Sequence, residues 1–457
     1  MVKILYLILF FSIGLATAGF CFNEAKVSLD SSEIKILEEI ETRLSLQIIL
    51  PDLLNYAYIT NPAIKASKQD WKISIENYNL GKSYPDPTLM TTYYPAPIET
   101  RLGPQDWNIS LSQQIPFPGL LSGRGKVLEA QTRISKLNLD KIVKNTAVSL
   151  MTSLHELVYI QKAVQIAESN FNLAKKLLKT SENFYATDKA LFYDISKARA
   201  QTAQIQYDIL LLKELEQAEK AFINSILSRA PGAPLGSAKN LSLRTIAYSV
   251  DEIYQSSIDH QEDVLIALET INKSNEQIKL SRFENLPTFR LGLFYASVGE
   301  PDVPTPPPDA GDDAVGIQFG FNIPLWYQKN KSRTLKALAV KEKARANKID
   351  ITNKTKAMIS RLWFKLQNSK RLITLYKDEL IPQSLKSVQT AETWFRNGEG
   401  SFSDFLEVQA TAYNFQLSLA RATADYSKTL VKLEQLAGVS LDKKSISPKE
   451  SKEEVAP

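Results

Sequence analysis

Two histidines and one cysteine are all that a chain of 457 residues offers for soft-metal or near-neutral acid–base chemistry. His155 and His260 stand far apart, each inside a helical pattern and neither beside another ligand at metal spacing. That excludes a His-rich metal site and a disulfide framework. Ser-x-x-Lys sequences and isolated Asp/Glu pairs recur in the long polar stretches, but no nucleophile is matched to a base and an orienting group. No catalytic residue, cofactor or metal is therefore expected. What remains is a set of acids where the chain reverses: Asp188, Asp194, Glu399 and Asp404. A carboxylate ring around a narrow opening attracts cations and resists anions. A carboxylate in a first helical turn also simply complements the helix dipole, a role that suits Asp404 especially well. Both readings stay open. Gly398 and Gly400 suit the second reversal itself, or a small surface on which a partner docks. The formal charge of +5 reads as spread along helices without an obvious stripe. With no basic–aromatic module present, nucleic-acid binding is not expected.

These acids must be held by very long helices. The 60 residues from Arg124 to Asn183 contain no proline and one glycine, Gly125. Val143, Ala147, Leu150, Leu154, Leu157, Val164 and Ala167 recur at three- and four-residue steps, which is helical rather than strand periodicity. A second such run lies between Lys331 and Arg396, broken only by Pro382. Helices this long imply a coiled coil, a repeat or a membrane assembly. Ala198, Ala200 and Ala203, with Ala337, Ala339, Ala344 and Ala346, allow close helix approach and equally favour helix by propensity.

At the N-terminus, Lys3, the apolar stretch Ile4–Leu15 and Ala16-Thr17-Ala18 have the pattern of a secretory signal peptide. Phe20 is large for a residue preceding a lipidated Cys21. Beyond residue 20 no apolar run approaches a helical span, so any membrane crossing falls to strands. The expected organisation is a signal peptide over 1–18, an arm over 19–44, a first repeat over 45–230, a linker over 231–245, a second repeat over 246–438 and a Lys/Ser/Glu/Pro tail over 439–457. Asn61-Pro62 kinks or restarts a helix that begins near Asp52, whereas 250–282 reads as one helix. Strands are expected at about 88–94, 107–115, 289–298 and 314–324, with loops over 95–106 and 299–313.

Trp107, Ile109 and Leu111 alternate with Asn108, Ser110 and Ser112; Val315, Ile317, Phe319 and Phe321 alternate with Gly316, Gln318 and Gly320. One side suits lipid and the other a water-filled lumen, although a soluble sheet with one wet face has the same alternation. The halves also repeat. Ser74-Ile75-Glu76 and Leu80 lie opposite Ser274-Asn275-Glu276 and Leu280, Pro87-Thr88 opposite Pro287-Thr288, Ile115-Pro116 opposite Ile323-Pro324, and Asp194 opposite Asp404. Each unit then runs helix, strand, loop, strand, long helix, reversal, helix. Two strands per unit leave one chain with too few to close a membrane sheet, and three copies would supply twelve.

With these elements placed, the sequence resembles the TolC family of outer-membrane efflux proteins from about residue 45 to 438. The resemblance rests on Leu53–Ile75 with its Asn-Pro, Leu286-Pro287-Thr288, Gln114-Ile115-Pro116-Phe117, Asn322-Ile323-Pro324-Leu325, and Gly398 followed by Ser401, Asp404, Phe405, Leu406 and Gln409. It implies a mostly α fold with β: duplicated long α-helical hairpins, and four β-strands per chain in a trimeric 12-stranded transmembrane β-barrel above a periplasmic α-helical tunnel. It implies a homotrimer in the outer membrane of a Gram-negative bacterium, extending into the periplasm. A periplasmic adaptor protein and an inner-membrane pump would be its partners, and outer-membrane lipid its surroundings. The function implied is a passive exit duct of a tripartite efflux or type I secretion system, for drugs, metal ions, solvents or a secreted polypeptide. The reversals at 184–190 and 397–401 would form its periplasmic tip. The alternative is a structural periplasmic coiled-coil protein without channel activity, which has no reason to contain alternating strands.

Overall fold

The computed structural model describes residues 31–186, 191–238, 243–397 and 399–442. The expected signal peptide, Cys21, Asp188, Gly398 and most of the C-terminal tail lie outside the described residues. Within them the chain runs α1 (Ser31–Leu46), β1 (Gln47–Ile48), α2 (Leu50–Thr60), α3 (Pro62–Lys82), β2 (Thr88–Thr100), β3 (Gly103–Ile115), α4 (Leu120–Tyr185), α5 (Phe192–Ile226) and β4 (Ser237–Ala238). It continues with α6 (Val250–His260), α7 (Glu262–Phe283), β5 (Phe289–Val298), β6 (Ala314–Phe321), α8 (Tyr327–Thr374), α9 (Ile381–Asn397) and α10 (Phe402–Ala437). At about 1.5 Å per residue, the 66 residues of α4 extend about 100 Å.

Both long hairpins begin and end on local chemistry. Gly119 enters α4 with φ 95°, and a Cβ there would lie 2.6 Å from the Phe283 ring, so only glycine fits. Gly438 closes α10 with φ 78° and donates its N–H to the Glu434 carbonyl, the left-handed C-cap expected after a helix. Pro382 has no N–H for the carbonyl one turn back, and a π-helical stretch, Leu375–Leu380, takes up the altered spacing between α8 and α9.

The duplication is visible in packing. Leu53 and Ile253, Ile64 and Val264, Ser67 and Ala267, and Ser74 and Ser274 are all buried at the same 200-residue separation. The restart at Asn61 is real: its side chain accepts from the Ala63 and Ile64 N–H groups. Residues 250–282 are not one helix. They break at Gln261, the counterpart of Asn61, whose side chain accepts from Val264 N–H. Glutamine is a poor cap by type, which hid the break in the sequence.

Three expected boundaries move. The loop expected over 95–106 is instead largely paired, with only Arg101 and Leu102 left as the turn between β2 and β3. Pro95 and Pro97 fall in the irregularity between Tyr93 and Ile98, where β2 has no ladder partner, so neither costs a ladder bond there. The second hairpin keeps its loop, tied to the first by Gly299 N–H on Pro104 O at 2.7 Å and Gly311 N–H on Leu102 O at 2.8 Å. Strand β6 stops at Phe321 rather than near 324, because the Asn322 side chain takes the Thr288 N–H at 2.5 Å.

Around the middle of the helices, α1 and α2 cover one side of α4 and α5. Leu37, Ile40, Leu44, Leu53, Leu150, Leu154, Leu157, Ile223 and Leu227 form that core. The pair β1–β4, parallel, joins this segment to the linker. Arg229 is buried there against Glu41 and Asn224. On the second repeat, α6 covers α8 and α10 through Ile253, Ile359, Leu362, Leu366, Tyr426 and Leu430.

Replacing Asn61 by alanine is expected to destabilise the fold by about 1–2 kcal/mol, against about 1 kcal/mol or less for Gln261→Ala. Asn61 also donates to Ile226 O at 2.8 Å, and that tie to α5 is lost with the cap. Thermal unfolding of the two purified variants, compared with the parent chain, checks the order.

Candidate transport duct: sheet face, open edges and helical tip

The four long strands form one antiparallel sheet in the order β2-β3-β5-β6. Its register puts Leu89 opposite Leu111, Thr91 opposite Ile109 and Tyr93 opposite Trp107. Across the next pairs it aligns Leu111 with Leu293 and Ile109 with Tyr295, then Leu293 with Ile317, Leu291 with Phe319 and Phe289 with Phe321. Directly opposed residues share a face. The seven strand residues expected to face lipid, Trp107, Ile109, Leu111, Val315, Ile317, Phe319 and Phe321, therefore lie on one face. Leu89, Tyr93, Leu291 and Leu293 extend it, and the three leucines were not singled out from the sequence although β5 alternates as clearly. Most of this face is exposed, with Val315 at 78% and Ile317 at 77%. The other face holds Asn108, Ser110, Ser112, Gly292, Gly316 and Gln318, with Met90, Arg290, Phe294 and Ala296 among them. With 13 residues each, β2 and β3 exceed the roughly 9–11 that a tilted strand needs to cross a bilayer. No helix among the described residues is long and apolar enough to do so.

Sheet and helices have matching edges. Below the sheet, α3, α4, α7 and α8 lie side by side; further on, the order is α5, α4, α10, then α8 and α9. Strand β2 and helices α3 and α5 of the first repeat form one margin, and β6, α8 and α9 of the second form the other. Both margins expose apolar side chains: Tyr207, Leu211, Leu215 and Phe222 on α5, Leu335, Ile349, Phe364 and Trp394 on α8 and α9. A strand that ends a sheet in this way leaves a row of backbone donors and acceptors unpaired.

The far ends of both hairpins meet. Leu177, Ala198, Phe395, Phe402, Phe405 and Leu406 form a buried cluster there. The Phe395 ring lies 4.9 Å from Phe402 and 5.1 Å from Phe184, and Lys197 of α5 donates to the Ser403 hydroxyl of α10. This aromatic knot is absent from the expectations, although three of its phenylalanines flank the predicted second reversal. Of the four candidate gate acids, three are described and all lie at this end. Asp194 accepts from its own Leu191 N–H at 3.2 Å, a helix-start bond. Glu399 is exposed, and its N–H closes the turn on Trp394 O at 2.9 Å. Gly400 donates to the same carbonyl at 3.2 Å. Asp404 is exposed in the first turn of α10, capped by Ser401. Tyr185, Leu191, Phe192 and Tyr193 are exposed around the first reversal.

Two grooves flank the α4–α10 seam. A groove of about 750 Å³ is lined by Ser149, Thr152, Glu156, Lys365, Asp425 and Lys428 among others. On α4 these residues point away from Leu150, Leu154 and Leu157, which face α1 and α2. So the groove lies on the uncovered face of the helical layer. In it Glu156 takes Lys428 at 2.5 Å and Arg421 at 2.6 Å. Burial raises its pKa, but these two cations outweigh that and hold it below the usual carboxylate range. On the other side of the seam His155 lines a second groove with Tyr159, Lys162 and Thr423. Burial, then the charges of Arg244 and Lys428, lower its pKa to about 4. It makes no metal group: among the described residues no cluster of three His, Cys, Asp or Glu could hold an ion.

Phe395→Ala is expected to loosen the tip, since truncating a buried phenylalanine typically costs about 3–5 kcal/mol; faster proteolytic nicking near 184–190 and 397–401, with the strands still protected, checks it. A second expectation concerns pH. Because the folded His155 is neutral, the unfolded chain binds the extra proton as pH falls below about 6.5. Its contribution to stability is full above that value and is lost progressively toward pH about 4. Thermal midpoints of the parent chain and His155→Gln, measured between pH 7 and 4, should converge as the pH drops.

A family model described as Outer membrane efflux protein matches residues 253–439. Among solved structures, the outer membrane protein VceC of Vibrio cholerae aligns with a TM-score of 0.72 at 15% identity, covering 86% of this chain and 96% of that one. A membrane protein from Pseudomonas aeruginosa aligns at 0.73 and 14% identity, over 87% and 92% of the two chains. CusC, whose structures concern folding and transmembrane channel formation, aligns at 0.72 and 13% identity, over 85% and 92%. No curated protein sequence matches. The chain thus has the fold of outer-membrane channels along most of its length, and its second repeat matches the outer membrane efflux protein family.

Proposed function

We propose that the chain is one third of a passive outer-membrane exit duct. Two repeats, 45–230 and 246–438 joined by 231–245, form one wall segment. The observation that carries this reading is the apolar face that crosses four strands, interrupted at Thr91 and Gln113, with the outer two strands unpaired on their far sides. In lipid every backbone group must find a partner within protein, so an open sheet is excluded and a closed barrel required. Because the four strands alternate in direction, β6 of one copy runs antiparallel to β2 of the next, and cyclic copies extend the ladder without a fault. Three copies give twelve strands, within the range of membrane barrels. The same rotation brings the apolar margin of α5 against that of α8 and α9.

Such a duct does no bond chemistry. It offers a polar lumen, continuous with the Asn/Ser/Gly/Gln face of the sheet, and a narrow end at the tip. Asp194, Glu399 and Asp404 supply carboxylates around that end, and the exposed Tyr185, Leu191, Phe192 and Tyr193 supply a surface for a periplasmic adaptor beneath an inner-membrane pump. The Phe184–Phe395–Phe402 cluster holds the two hairpin ends together, so widening the opening requires those contacts to shift.

The expected outcome in planar bilayers is a stable trimer by mass that inserts and conducts. Asp194→Asn with Asp404→Asn should alter conductance by about twofold or more. A chain that purifies as a water-soluble monomer and never inserts would overturn the duct.

A further inference from the structure

Helix α8 has a charge imbalance that neither the fold nor the duct requires. It carries fourteen lysines and arginines against two acids, Glu342 and Asp350, in a chain whose whole excess is +5. The positive balance expected to be spread without a stripe is therefore carried largely by one helix. Five of them, Lys336, Lys343, Lys354, Arg361 and Lys365, each stand one position before a residue buried in the α8 seam: Ala337, Ala344, Thr355, Leu362 and Leu366. One residue turns about 100° round a helix, so all five leave α8 on the same flank, and all five are exposed. Lys365 identifies that flank, because it lines the groove on the uncovered face of the layer with Glu156, Lys428 and Lys432. The opposite flank is the covered one: Trp363, one position after Leu362, packs into the core formed with α6.

Most of this row has no ion pair among the described residues. Only Lys354 has an acidic partner among the described residues, Asp350 at 2.7 Å, and that pair is open to solvent. The four acids of α7, the neighbour beside the upper part of α8, are already paired: Glu262 with Lys144, Asp263 with Lys141, Glu269 with Arg133 and Glu276 with Lys279. In the groove, Glu156 and Asp425 are both held by Arg421 and Lys428, while Glu219 accepts from the neutral Ser153 hydroxyl and keeps its charge in the groove that Lys365 also lines. Lys336 and Lys343, and again Lys354 and Arg361, are one heptad or about 10 Å apart, close to the Debye length of about 8 Å at physiological salt, so their fields overlap within two positive patches separated by about 16 Å between Lys343 and Lys354. Lined by low-dielectric walls, such patches concentrate anions and repel cations.

We infer that the duct bears a basic track along α8 on its lumen side and that its cargo is anionic, a solute carrying carboxylate, sulfonate or phosphate. The inference rests on the duct reading and names the substrate class for it. Three copies repeat the row around the lumen, so a solute meets positive charge on every side over much of the tunnel's length. The acids at the tip act at the entrance alone.

The test is the reversal potential of the full-length protein in planar bilayers under a tenfold potassium chloride gradient. The parent pore is expected to favour chloride. The variant Lys336→Glu/Lys343→Glu/Arg361→Glu/Lys365→Glu should lower the chloride-to-potassium permeability ratio by about fivefold or more. The matching four-fold glutamine variant, which adds no buried or repelling charge, should give a smaller shift in the same direction. Arg345→Glu, on the opposite flank of α8, should leave the ratio unchanged. A parent pore that favours potassium, or a ratio that neither four-fold variant moves, overturns the anionic track while leaving the duct intact. Failure of the parent chain to form any pore overturns the duct reading itself and the track with it.

Discussion

Unpaired edges govern this structure. Strands β2 and β6 end the sheet with one free row of backbone groups each, and the helical layer below ends in apolar margins on the same two sides. A soluble protein protects an edge strand with charge, a bulge or a covering helix. Here the bulge at 93–98 disturbs only the outer end of β2, and Val315, Ile317 and Phe319 on β6 are apolar and exposed. Both the register of the strands and the order of the helices make sense once the free rows meet in a ring. The internal duplication gives that ring its geometry: a unit of two strands and one hairpin, used twice, sets first-repeat elements at one margin and second-repeat elements at the other.

Much of this was legible in the residues. Alternation over Trp107–Ile115 and Ala314–Phe321 gave the strands and their faces, because period-two patterning with one apolar side has few other solutions. Proline-free runs gave the helices. What stayed hidden depended on contacts between distant segments. The pairing of Gln47–Ile48 with Ser237–Ala238 is too short to leave a periodic signal. The prolines at 95 and 97 read as loop, since whether a strand tolerates proline depends on whether it is paired there, which is a property of the sheet. At the tip, turn residues drew attention to Gly398 and Asp404, whereas the packing is done by Phe184, Phe395, Phe402 and Phe405, whose clustering needs both hairpins in place.

The candidate acids illustrate the same limit. A carboxylate three residues into a helix is ambiguous by type: Asp194 bonds its own Leu191 N–H, which satisfies the capping role without removing its charge from the opening. Capping and lining are compatible, because an exposed carboxylate that orders its helix start still contributes to the local potential.

The two repeats have diverged most where their surroundings differ. Helix α4 lies inside the layer, and the cations on its upper part are answered across the seam by acids of α7: Arg133 by Glu269, Lys141 by Asp263 and Lys144 by Glu262. Helix α8 is its counterpart in the second repeat but stands at the margin, with a neighbour on one side only. Its acids number two, and of the five cations on its uncovered flank only Lys354 has an ion-pair partner among the described residues. Partly exposed ion pairs add little to stability, so fold energetics alone do not require either arrangement. An unpaired row costs self-repulsion along the helix, and water and mobile ions reduce that cost wherever the flank is open to solvent. The row is therefore tolerated only on a wet face, which is what a lumen wall provides and a protein–protein seam or a lipid surface does not. Charge placement and sheet patterning thus bear on the same question, which side of a wall would be wet, although they arise on different elements and from different physics.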